Sequence, residues 1–348
     1  MFVNRLTGES LVLHVYLPPS AVLDGSVRVP LVLWLHGAGG SGEWDIANAD
    51  MRAFADATGA VLAAPTSSTS CDWSADDSCA AQVHDATREL KIEFPIDDDR
   101  VYLTGFSMGG RGSFTVGLSW PDLPAGMTPV AGSIGAIQNT TDIETHRTYV
   151  RPHVENALPL RTRLITGLED HPLLVLQNQA ASEVFAELGY DFAWTELVGV
   201  GHAFPPAEWT AAMTDVVAAA RDPYPRHVVY DMAWHASSYT SDLFLNTEIR
   251  ANVFWLRIES RADHAAAARV EGTIAGQIVT IATENVTRLS VYLADELLSL
   301  DLPVTILVDG ATWFAGSVPR DPRLALEHAR ERMERSMVFA ARITADVP

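Results

Sequence analysis

The stretch DDDRVYLTGFSMGGRGSF, residues 97–114, puts an apolar run directly before a serine that has a glycine two positions away on each side. The apolar run predicts a buried strand, and the residues after Ser107 predict a helix, although their glycines lower the helix propensity. A turn from strand to helix within a few residues needs strained backbone, and Gly105 and Gly109 remove side chains that would clash there. Such a G-x-S-x-G pattern is typical of a nucleophile elbow. A five-residue match also occurs by chance, so this interpretation depends on the partners of Ser107 elsewhere in the chain.

The composition indicates a globular protein with one large and one small domain. The chain has 348 residues, of which 48% are hydrophobic, and single cores stop growing beyond about 250–300 residues. The formal net charge is −20, and Lys91 is the only lysine. Because no basic stripe is available to neutralise phosphates, we expect neither nucleic acid nor an anionic membrane surface as a partner. No apolar stretch reaches the roughly 20 residues that span a bilayer.

The sequence determines neither the cellular compartment nor the oligomeric state. The N-terminal residues contain no apolar segment of the signal-peptide kind, so we expect a cytoplasmic chain unless a signal peptide has been removed, in which case a secreted or periplasmic location is favoured. Cys71 and Cys79 flank a polar loop, CDWSADDSC. A local disulfide there would indicate an oxidising compartment, and two reduced thiols are the alternative.

Strands and helices alternate from residue 10 to about residue 220. This pattern predicts βαβ units and an α/β fold with a doubly wound, mostly parallel sheet. Apolar runs predict strands at 11–18, 29–37, 60–65, 101–103, 129–137, 163–167 and 192–199. Apolar residues at helical spacing predict helices at 50–59, 79–94 and 174–189, of which the first is closed by Gly59.

The pattern changes near two closely spaced prolines. We expect a catalytic domain over 1–221, a proline-rich junction over 222–227, and a smaller all-β, sandwich-like accessory domain over 228–348. Short alternating runs with Gly or Asn turns predict antiparallel strands there. Residues 322–336 are either a lone amphipathic helix or an ordered loop before a last strand at 337–344. The accessory domain either stabilises the catalytic domain or binds substrate. Its tryptophans are candidates for a sugar-binding face or for the sandwich core: Trp234, Trp255 and Trp313.

Three candidate catalytic residues follow predicted strands in the order Ser107, Asp170, His202. In a parallel sheet these positions all lie at the carboxyl edge, where ligands bind. A serine hydroxyl is a weak nucleophile, so a neutral imidazole must accept its proton, and a carboxylate must hold that ring and stabilise its cation. The order matches the elbow architecture. Glu169 is the alternative acid, and we expect Gly201 to let the histidine loop fold back toward the serine.

The negative charge that develops on a substrate oxygen requires hydrogen-bond donors that are already in place. We expect one donor to be the N–H of Met108 and the second to be the N–H of Ala38, with Gly39 as a near alternative, in the loop HGAGG. Trp44 and Trp73 lie in loops that follow strands at the same edge of the sheet. Their rings predict an aromatic wall for the acyl pocket. The alternative is that each ring packs inside its own loop.

No cluster of His, Asp or Glu has the spacing of a metal site, and the loop GAGGSG lacks the lysine of a phosphate-binding P-loop. The sequence therefore predicts neither a metal nor a cofactor. Taken together, the motifs LHGAGGSG, RVYLTGFSMGG, GLED and GVGHAF resemble those of α/β-hydrolases in the polyhydroxybutyrate depolymerase and feruloyl esterase group, over residues 10–220.

That resemblance implies an α/β-hydrolase fold and cofactor-free hydrolysis of carboxylic esters through an acyl-enzyme. The substrates implied are aryl, acetyl or polyester esters, including polymeric and plant-cell-wall material. A peptidase of the prolyl oligopeptidase kind is one alternative, and a binding module without catalysis is the other. The C-terminal β-domain departs from the minimal single-domain esterase.

Overall fold

The computed structural model describes residues 1–5, 8–22, 24–67, 71, 73, 77–135, 140–232, 252–264 and 266–348, with the backbone alone at 77–80. These residues divide into two compact units, Met1–Arg221 and Asp222–Pro348. Each unit has its own sheets and its own buried core. Among the described residues, no helix combines the length and the apolarity needed to cross a membrane.

A seven-stranded sheet forms the centre of the first unit. The strands of this unit are β1 (Phe2–Val3), β2 (Ser10–Leu11), β3 (Leu13–Tyr16), β4 (Val29–Leu35), β5 (Val61–Pro65), β6 (Ile96–Phe106), β7 (Gly126–Val130), β8 (Arg161–Gly167) and β9 (Phe192–Leu197). The sheet has the order β3-β5-β4-β6-β7-β8-β9, and β1 pairs separately with β2. All neighbours in the sheet are parallel except β3 and β5. The predicted doubly wound, mostly parallel sheet is confirmed, and β6 lies at its middle.

The helices described in this unit are α1 (Gly42–Ile46), α2 (Ala49–Thr58), α3 (Asp77–Glu93), α4 (Met108–Ser119), α5 (Ile143–Glu155), α6 (Pro172–Leu188) and α7 (Pro206–Val216). Helices α2 and α7 pack on one face of the sheet, where Trp209 joins a buried cluster with Trp34 and Tyr102. Successive side chains of a strand point to opposite faces. Helix α4 lies on the other face, because its Gly117 approaches Leu103, the neighbour of Tyr102.

Local signals explain why α2 begins and ends where it does. The side chain of Asn48 accepts hydrogen bonds from the first turn of the helix, which satisfies N–H groups that have no partner inside the helix. Gly59 ends the helix with φ 69°, a left-handed conformation that favours glycine. The prediction of a helix at 50–59 closed by Gly59 is therefore confirmed.

The strand predicted at 129–137 lies earlier than expected, at Gly126–Val130. The chain leaves the sheet at Ala131, which has φ 47° and donates its N–H to Ile165 on β8. Close packing explains this early turn, since a Cβ at Gly132 would collide with the backbone of Gly110 on α4. The apolar run alone does not contain this constraint.

The second unit has nine strands and one helix in its described part. They are β10 (His227–Asp231), β11 (Asn252–Val253), β12 (Leu256–Arg261), β13 (Arg269–Ala275), β14 (Ile278–Glu284), β15 (Val286–Leu293), β16 (Val304–Val308), β17 (Ala311–Gly316), α8 (Pro322–Arg332) and β18 (Ala341–Asp346). Two sheets, ordered β10-β13-β14-β16-β17 and β11-β12-β15-β18, share one core that contains Tyr230 and Leu256. The predicted all-β, sandwich-like architecture is confirmed, and of the two alternatives for residues 322–336 the structure shows the helix.

Two details of this unit differ from the sequence expectation. β14 and β16 are parallel. The intervening β15 pairs in the other sheet, and the chain then re-enters the first sheet running the same way as β14. The expectation of antiparallel pairing throughout is therefore wrong for this pair. The last strand lies at Ala341–Asp346 rather than at 337–344.

The tryptophans of the second unit are used for packing where they are described. Trp255 is 0% exposed, and its Nε1 donates to the carbonyl of Pro225 at 2.7 Å. Trp313 is half-buried against the core and donates to the carbonyl of Asp346 at 2.8 Å. Trp255 therefore belongs to the core and not to a sugar-binding face, and Trp234 lies outside the described residues.

The chain is anchored on both sides of the unit boundary. In the first unit, the guanidinium of Arg221 is buried and its Nη2 donates to Oδ1 of Asp99 at 2.8 Å. In the second unit, the hydroxyl of Tyr224 bonds to both the carbonyl and the N–H of Val338, each at 3.0 Å. The backbone therefore changes its packing partners within a few residues.

The stability of the first unit should fall in mild acid because of His153 on α5. This residue is 4% exposed, and burial lowers the pKa of its imidazole to about 4, since a charged ring would lose its hydration. In the unfolded chain the same ring takes up a proton near pH 6.5. Between these values the unfolded state binds more protons, so stability is complete above about pH 6.5 and is lost as pH falls, by on the order of 3 kcal/mol at pH 4.

Chemical denaturation of the wild type and of His153→Asn at pH values from about 4 to 8 measures this contribution. We expect the variant to be less stable at neutral pH but to lose less stability on acidification. The same slope in both proteins would contradict the assignment.

Candidate active site

The turn between β6 and α4 holds Ser107 in a strained backbone conformation. Its φ is 59° and its ψ is −117°, a region that costs a non-glycine residue about 1–3 kcal/mol. The N–H of Ser107 donates to the carbonyl of Val130 on β7 at 2.8 Å, and its carbonyl accepts from the N–H of Arg111 at 3.0 Å. Hydrogen bonds on both sides therefore hold the bend, and the half-buried serine lies at the carboxyl edge of the sheet.

The two glycines of the motif allow α4 to approach β4. A Cβ at Gly105 would lie 2.5 Å from the carbonyl oxygen of Leu35, and a Cβ at Gly109 would overlap the same oxygen. Because the obstacle is backbone, no side-chain rotation could relieve either contact. The steric reason predicted for these glycines is confirmed.

His202 lies between Ser107 and Asp170 and contacts both. Its Nε2 lies 2.7 Å from Oγ of Ser107, and its Nδ1 lies 2.8 Å from Oδ2 of Asp170. An ionised carboxylate only accepts hydrogen bonds, so Nδ1 carries the proton and Nε2 presents a lone pair to the serine hydroxyl. The side chain of Asp170 is 3% exposed and that of His202 is 45% exposed. The three side chains form one continuous hydrogen-bonded chain that ends at the serine.

Backbone hydrogen bonds hold the loops after β8 and β9 together. The N–H of Glu169 donates to the carbonyl of Val200 at 2.9 Å, and the N–H of Leu168 donates to the carbonyl of Leu197 at 3.0 Å. These bonds set the distance between the loop that carries Asp170 and the loop that carries His202.

The carboxylate of Asp170 is held from both of its oxygens. Oδ2 contacts His202, and Oδ1 accepts from the N–H of His171 at 2.6 Å. Glu169, the alternative acid, has an exposed side chain. The structure brings Asp170, rather than Glu169, to the histidine.

The histidine loop turns at Gly199 and not at Gly201. Gly199 has φ 76°, whereas a Cβ at Gly201 would meet only the carbonyl oxygen of Glu169, at an ordinary distance of 3.6 Å. The role expected for Gly201 is therefore wrong. Gly167 is the position in this region where only glycine fits, since a Cβ there would overlap the carbonyl of Val200.

Aromatic rings pack beside the imidazole of His202. The ring of Phe106 lies 5.1 Å from the imidazole, centroid to centroid. Phe204, two residues after the histidine, lies 6.3 Å from Phe106 and 5.3 Å from Trp34. Sequence reasoning misses Phe106, although its place next to Ser107 inside the motif is a usable signal.

The loop after β4 holds candidate oxyanion donors beside the elbow. In the turn 37–40, the N–H of Gly40 donates to the carbonyl of Gly37 at 3.0 Å, and Gly39 has φ 73°. The hydrogen bond that closes the turn does not use the N–H groups of Ala38 and Gly39. A Cβ on the first glycine of the turn would lie 3.6 Å from Cβ of Ser107. Met108 begins α4, so its N–H has no acceptor within the helix.

His36 anchors this loop, a role that sequence reasoning misses. The residue is 3% exposed. Its Nε2 lies 3.1 Å from the backbone nitrogen of Ser67 and 3.0 Å from Oγ of the same residue. A backbone N–H can only donate, so Nε2 carries no proton and Nδ1–H donates to the carbonyl of Gly37 at 2.8 Å. A neutral imidazole thus connects the loop after β5 to the turn after β4.

The two tryptophans expected to line the acyl pocket have different environments. Trp44 lies on α1 and is 70% exposed, so its substrate role stays a prediction. Trp73 is 0% exposed, and its Nε1 donates to the carbonyl of His36 at 3.0 Å. A fully enclosed ring offers no face to a substrate, so this position favours the packing alternative for Trp73.

Cys71 is disulfide-bonded, and the side chain of Cys79 lies outside the described residues. Across the part of the chain that the structure describes, no group of three or more His, Cys, Asp or Glu side chains is arranged to hold a metal ion.

Comparison with known proteins identifies esterases as relatives over part of the chain. No family model matches. The chain is 33% identical over 112 residues to a bifunctional acetylxylan esterase/xylanase of Neocallimastix patriciarum, covering 31% of this chain and 16% of that protein. It is 34% identical over 115 residues to a protein of Nocardia uniformis subsp. tsuyamanensis whose name marks it as a candidate esterase, covering 30% of this chain and 33% of that protein. The chain thus spans a third or less of these curated relatives.

A solved structure resembles the first unit in size and architecture. A ferulic acid esterase superposes with a TM-score of 0.50 at 13% identity, covering 62% of this chain and 93% of that one. At this identity the match shows the fold alone. Together with the sheet order and the strained elbow, it identifies the first unit as an α/β-hydrolase fold, and the relatives that the chain resembles are esterases.

Proposed function

We propose that this protein is a serine carboxylic-ester hydrolase in which Ser107 is the nucleophile, His202 the general base and Asp170 the orienting acid. The observation that carries the proposal is the hydrogen-bonded chain from Ser107 Oγ through His202 to Asp170, at 2.7 and 2.8 Å. Its position on a strained turn at the carboxyl edge of the sheet supports a catalytic rather than a structural use of these groups.

In the proposed acylation step, Oγ of Ser107 attacks the ester carbonyl carbon while its proton passes to Nε2 of His202. The tetrahedral intermediate places a negative charge on the former carbonyl oxygen, which accepts hydrogen bonds from the N–H groups of Met108 and Ala38. The imidazolium is stabilised by Asp170. Collapse of the intermediate returns that proton to the departing alcohol and leaves an acyl group on Ser107.

Deacylation repeats the same steps with water as the nucleophile. Nε2 of His202 accepts a proton from water as the water oxygen attacks the acyl carbonyl, and the oxyanion binds the same two N–H groups. The proton then returns to Oγ of Ser107 as the acid leaves. One ester and one water give one alcohol and one acid, with no cofactor required.

For the substrate, we propose acetyl esters of plant polysaccharides as the first class to test. The segment shared with the acetylxylan esterase/xylanase supports this choice. Feruloyl, other aryl and polyester bonds are further candidates from the resemblance of the motifs. The exposed ring of Trp44 would contribute an aromatic wall for an aryl or extended acyl group.

We propose that residues 228–348 form an accessory domain and that 222–227 is its junction with the catalytic domain 1–221. The division of the described residues into two compact units supports this proposal, as does the location of all three proposed catalytic residues in the first unit.

Labelling with a fluorophosphonate probe tests the nucleophile directly. We expect one adduct, on Oγ of Ser107, and no adduct in Ser107→Ala, because the probe reacts only with an activated serine. Turnover of p-nitrophenyl acetate should fall by about 10⁴–10⁶ in the variant, with an unchanged circular dichroism spectrum. An adduct on another residue would overturn the assignment.

Substitutions of the base and the acid should give graded losses. His202→Ala should cost as much as Ser107→Ala, since nucleophile and base act as a unit, and Asp170→Asn should cost somewhat less. Glu169→Gln is the matched control, because it neutralises the adjacent carboxylate, and it should retain kcat/KM within a factor of about two. If Glu169→Gln were the more damaging change, the acid would be Glu169.

A substrate panel separates esterase from peptidase activity and locates the substrate class. We expect turnover of p-nitrophenyl acetate and acetylated xylan, and none of a peptide anilide, with methyl ferulate and polyhydroxybutyrate as further members. Cleavage of the anilide at a comparable kcat/KM would favour the peptidase alternative. Absence of turnover on every member, with no probe labelling, would favour the non-catalytic alternative.

A further inference from the structure

Trp73 lies between the two backbone segments that hold the proposed oxyanion donors. Its indole Nε1 donates to the carbonyl oxygen of His36 at 3.0 Å. Its ring packs edge-on against the imidazole of His36, with centroids 5.1 Å apart and an interplanar angle of 66°. His36 in turn holds the carbonyl of Gly37, the residue before Ala38. Trp73 therefore contacts the donor loop through one hydrogen bond and one ring contact.

The other side of Trp73 packs on the helix that begins with Met108. A Cβ at Gly112 of α4 would overlap Cβ of Trp73 and would lie 2.8 Å from its Cγ. The nearer of these two atoms is Cβ, which cannot move without moving the backbone. The absence of a side chain at Gly112 thus allows Trp73 to pack closely against α4.

The backbone of Trp73 is itself held in an unusual conformation. Its φ is 57°, a left-handed value that a bulky residue rarely adopts, and the residue is 0% exposed. Such strain persists where surrounding contacts over-determine the position, and it clusters at functional sites.

We propose that Trp73 is a positioning residue that sets the separation between the N–H groups of Ala38 and Met108, and so shapes the oxyanion hole. The inference rests on the proposed function and adds a residue to it. Trp73 touches no substrate. It supports the loop 36–40 from one side and α4 from the other.

The consequence is a selective loss of transition-state binding when Trp73 is altered. A substrate carbonyl is uncharged in the ground state and becomes an oxyanion only during attack. Misplaced donors therefore weaken binding of the transition state more than binding of the ground state. Removing a whole donor typically costs about 10²–10³ in kcat. Displacing one donor should cost less, and we expect a loss of roughly 10–100-fold in kcat with KM changed by less than about twofold.

Two variants disturb Trp73 in different ways. Trp73→Phe keeps a ring beside Gly112 but removes the donor to the carbonyl of His36. Gly112→Ala leaves the tryptophan intact but forces it away from α4. Because the two changes act on different elements, a shared kinetic signature would point to the position of Trp73 and not to a general loss of folding.

Matched controls exist for both variants. Trp255→Phe removes a tryptophan that is also 0% exposed and that also donates to a backbone carbonyl, at 2.7 Å, but in the second unit. Gly117→Ala is the same substitution in the same helix as Gly112→Ala. Its Cβ would lie 2.8 Å from Sδ at the flexible side-chain end of Met127 and at an ordinary 3.6 Å from Cδ1 of Leu103. Both controls should lower the melting temperature without lowering kcat more than about twofold.

The decisive readout is the affinity for a trifluoromethyl ketone compared with the matching methyl ketone. Ser107 Oγ adds to the activated carbonyl and His202 takes the proton, so the bound trifluoromethyl ketone is a hemiketal oxyanion. The methyl ketone has the same shape and stays uncharged. In Trp73→Phe and Gly112→Ala, trifluoromethyl ketone affinity should fall by the same factor as kcat/KM, and methyl ketone affinity should stay within about twofold of the wild type.

Three results would overturn the inference. They are an unchanged kcat in folded Trp73→Phe, an equal loss of affinity for both ketones, or a Gly112→Ala variant that behaves like Gly117→Ala. Failure of the proposed function looks different, because the wild type itself would then neither hydrolyse esters nor be labelled at Ser107, and the inference would fall with it.

Discussion

The close approach of two parallel strands at their carboxyl ends is the constraint on which the site depends. Leu35 of β4 pairs with Gly105 of β6, so the chain leaves both strands at the same level. The serine turn and the glycine-rich turn therefore begin side by side. Only glycine at 105 and 109 permits this, because the carbonyl oxygen of Leu35 occupies the space of any Cβ. A methyl group at either position would separate the proposed nucleophile, Ser107, from the proposed oxyanion donors.

The same edge of the sheet supplies the other proposed catalytic groups through loops that bond to each other. Gly167 of β8 pairs with Leu197 of β9, and backbone hydrogen bonds continue between the two loops beyond the strands. The positions of Asp170 and His202 thus follow from strand register. The carboxylate is buried and bonded at both oxygens, whereas the imidazole stays half open. This difference suits the proposed roles, in which Asp170 stays fixed and His202 exchanges protons with substrate and water.

A partly buried ring, Phe106, and a fully buried ring, Trp73, support the site from two sides. Phe106 packs beside the imidazole of His202, and Trp73 packs beneath the loop that starts at His36. Aromatic rings are large and have few rotatable bonds, so they hold neighbouring loops at small entropic cost. The proposed division is that one ring positions the base and the other spaces the oxyanion donors. Neither ring needs to touch a substrate.

The sequence by itself determined the fold class, the elbow and the set of candidate residues, since apolar periodicity and the glycine-flanked serine follow local steric rules. Chain order made Asp170 and His202 candidates, but only the tertiary structure brings Asp170, and not Glu169, to the imidazole, because adjacent carboxylates look alike until a loop orients them. The roles of Gly199 and Trp73 were also beyond the sequence. Whether a tryptophan faces a pocket or is enclosed depends on residues such as Gly112, which are remote in the chain and meet it only when the sheet and helix pack together.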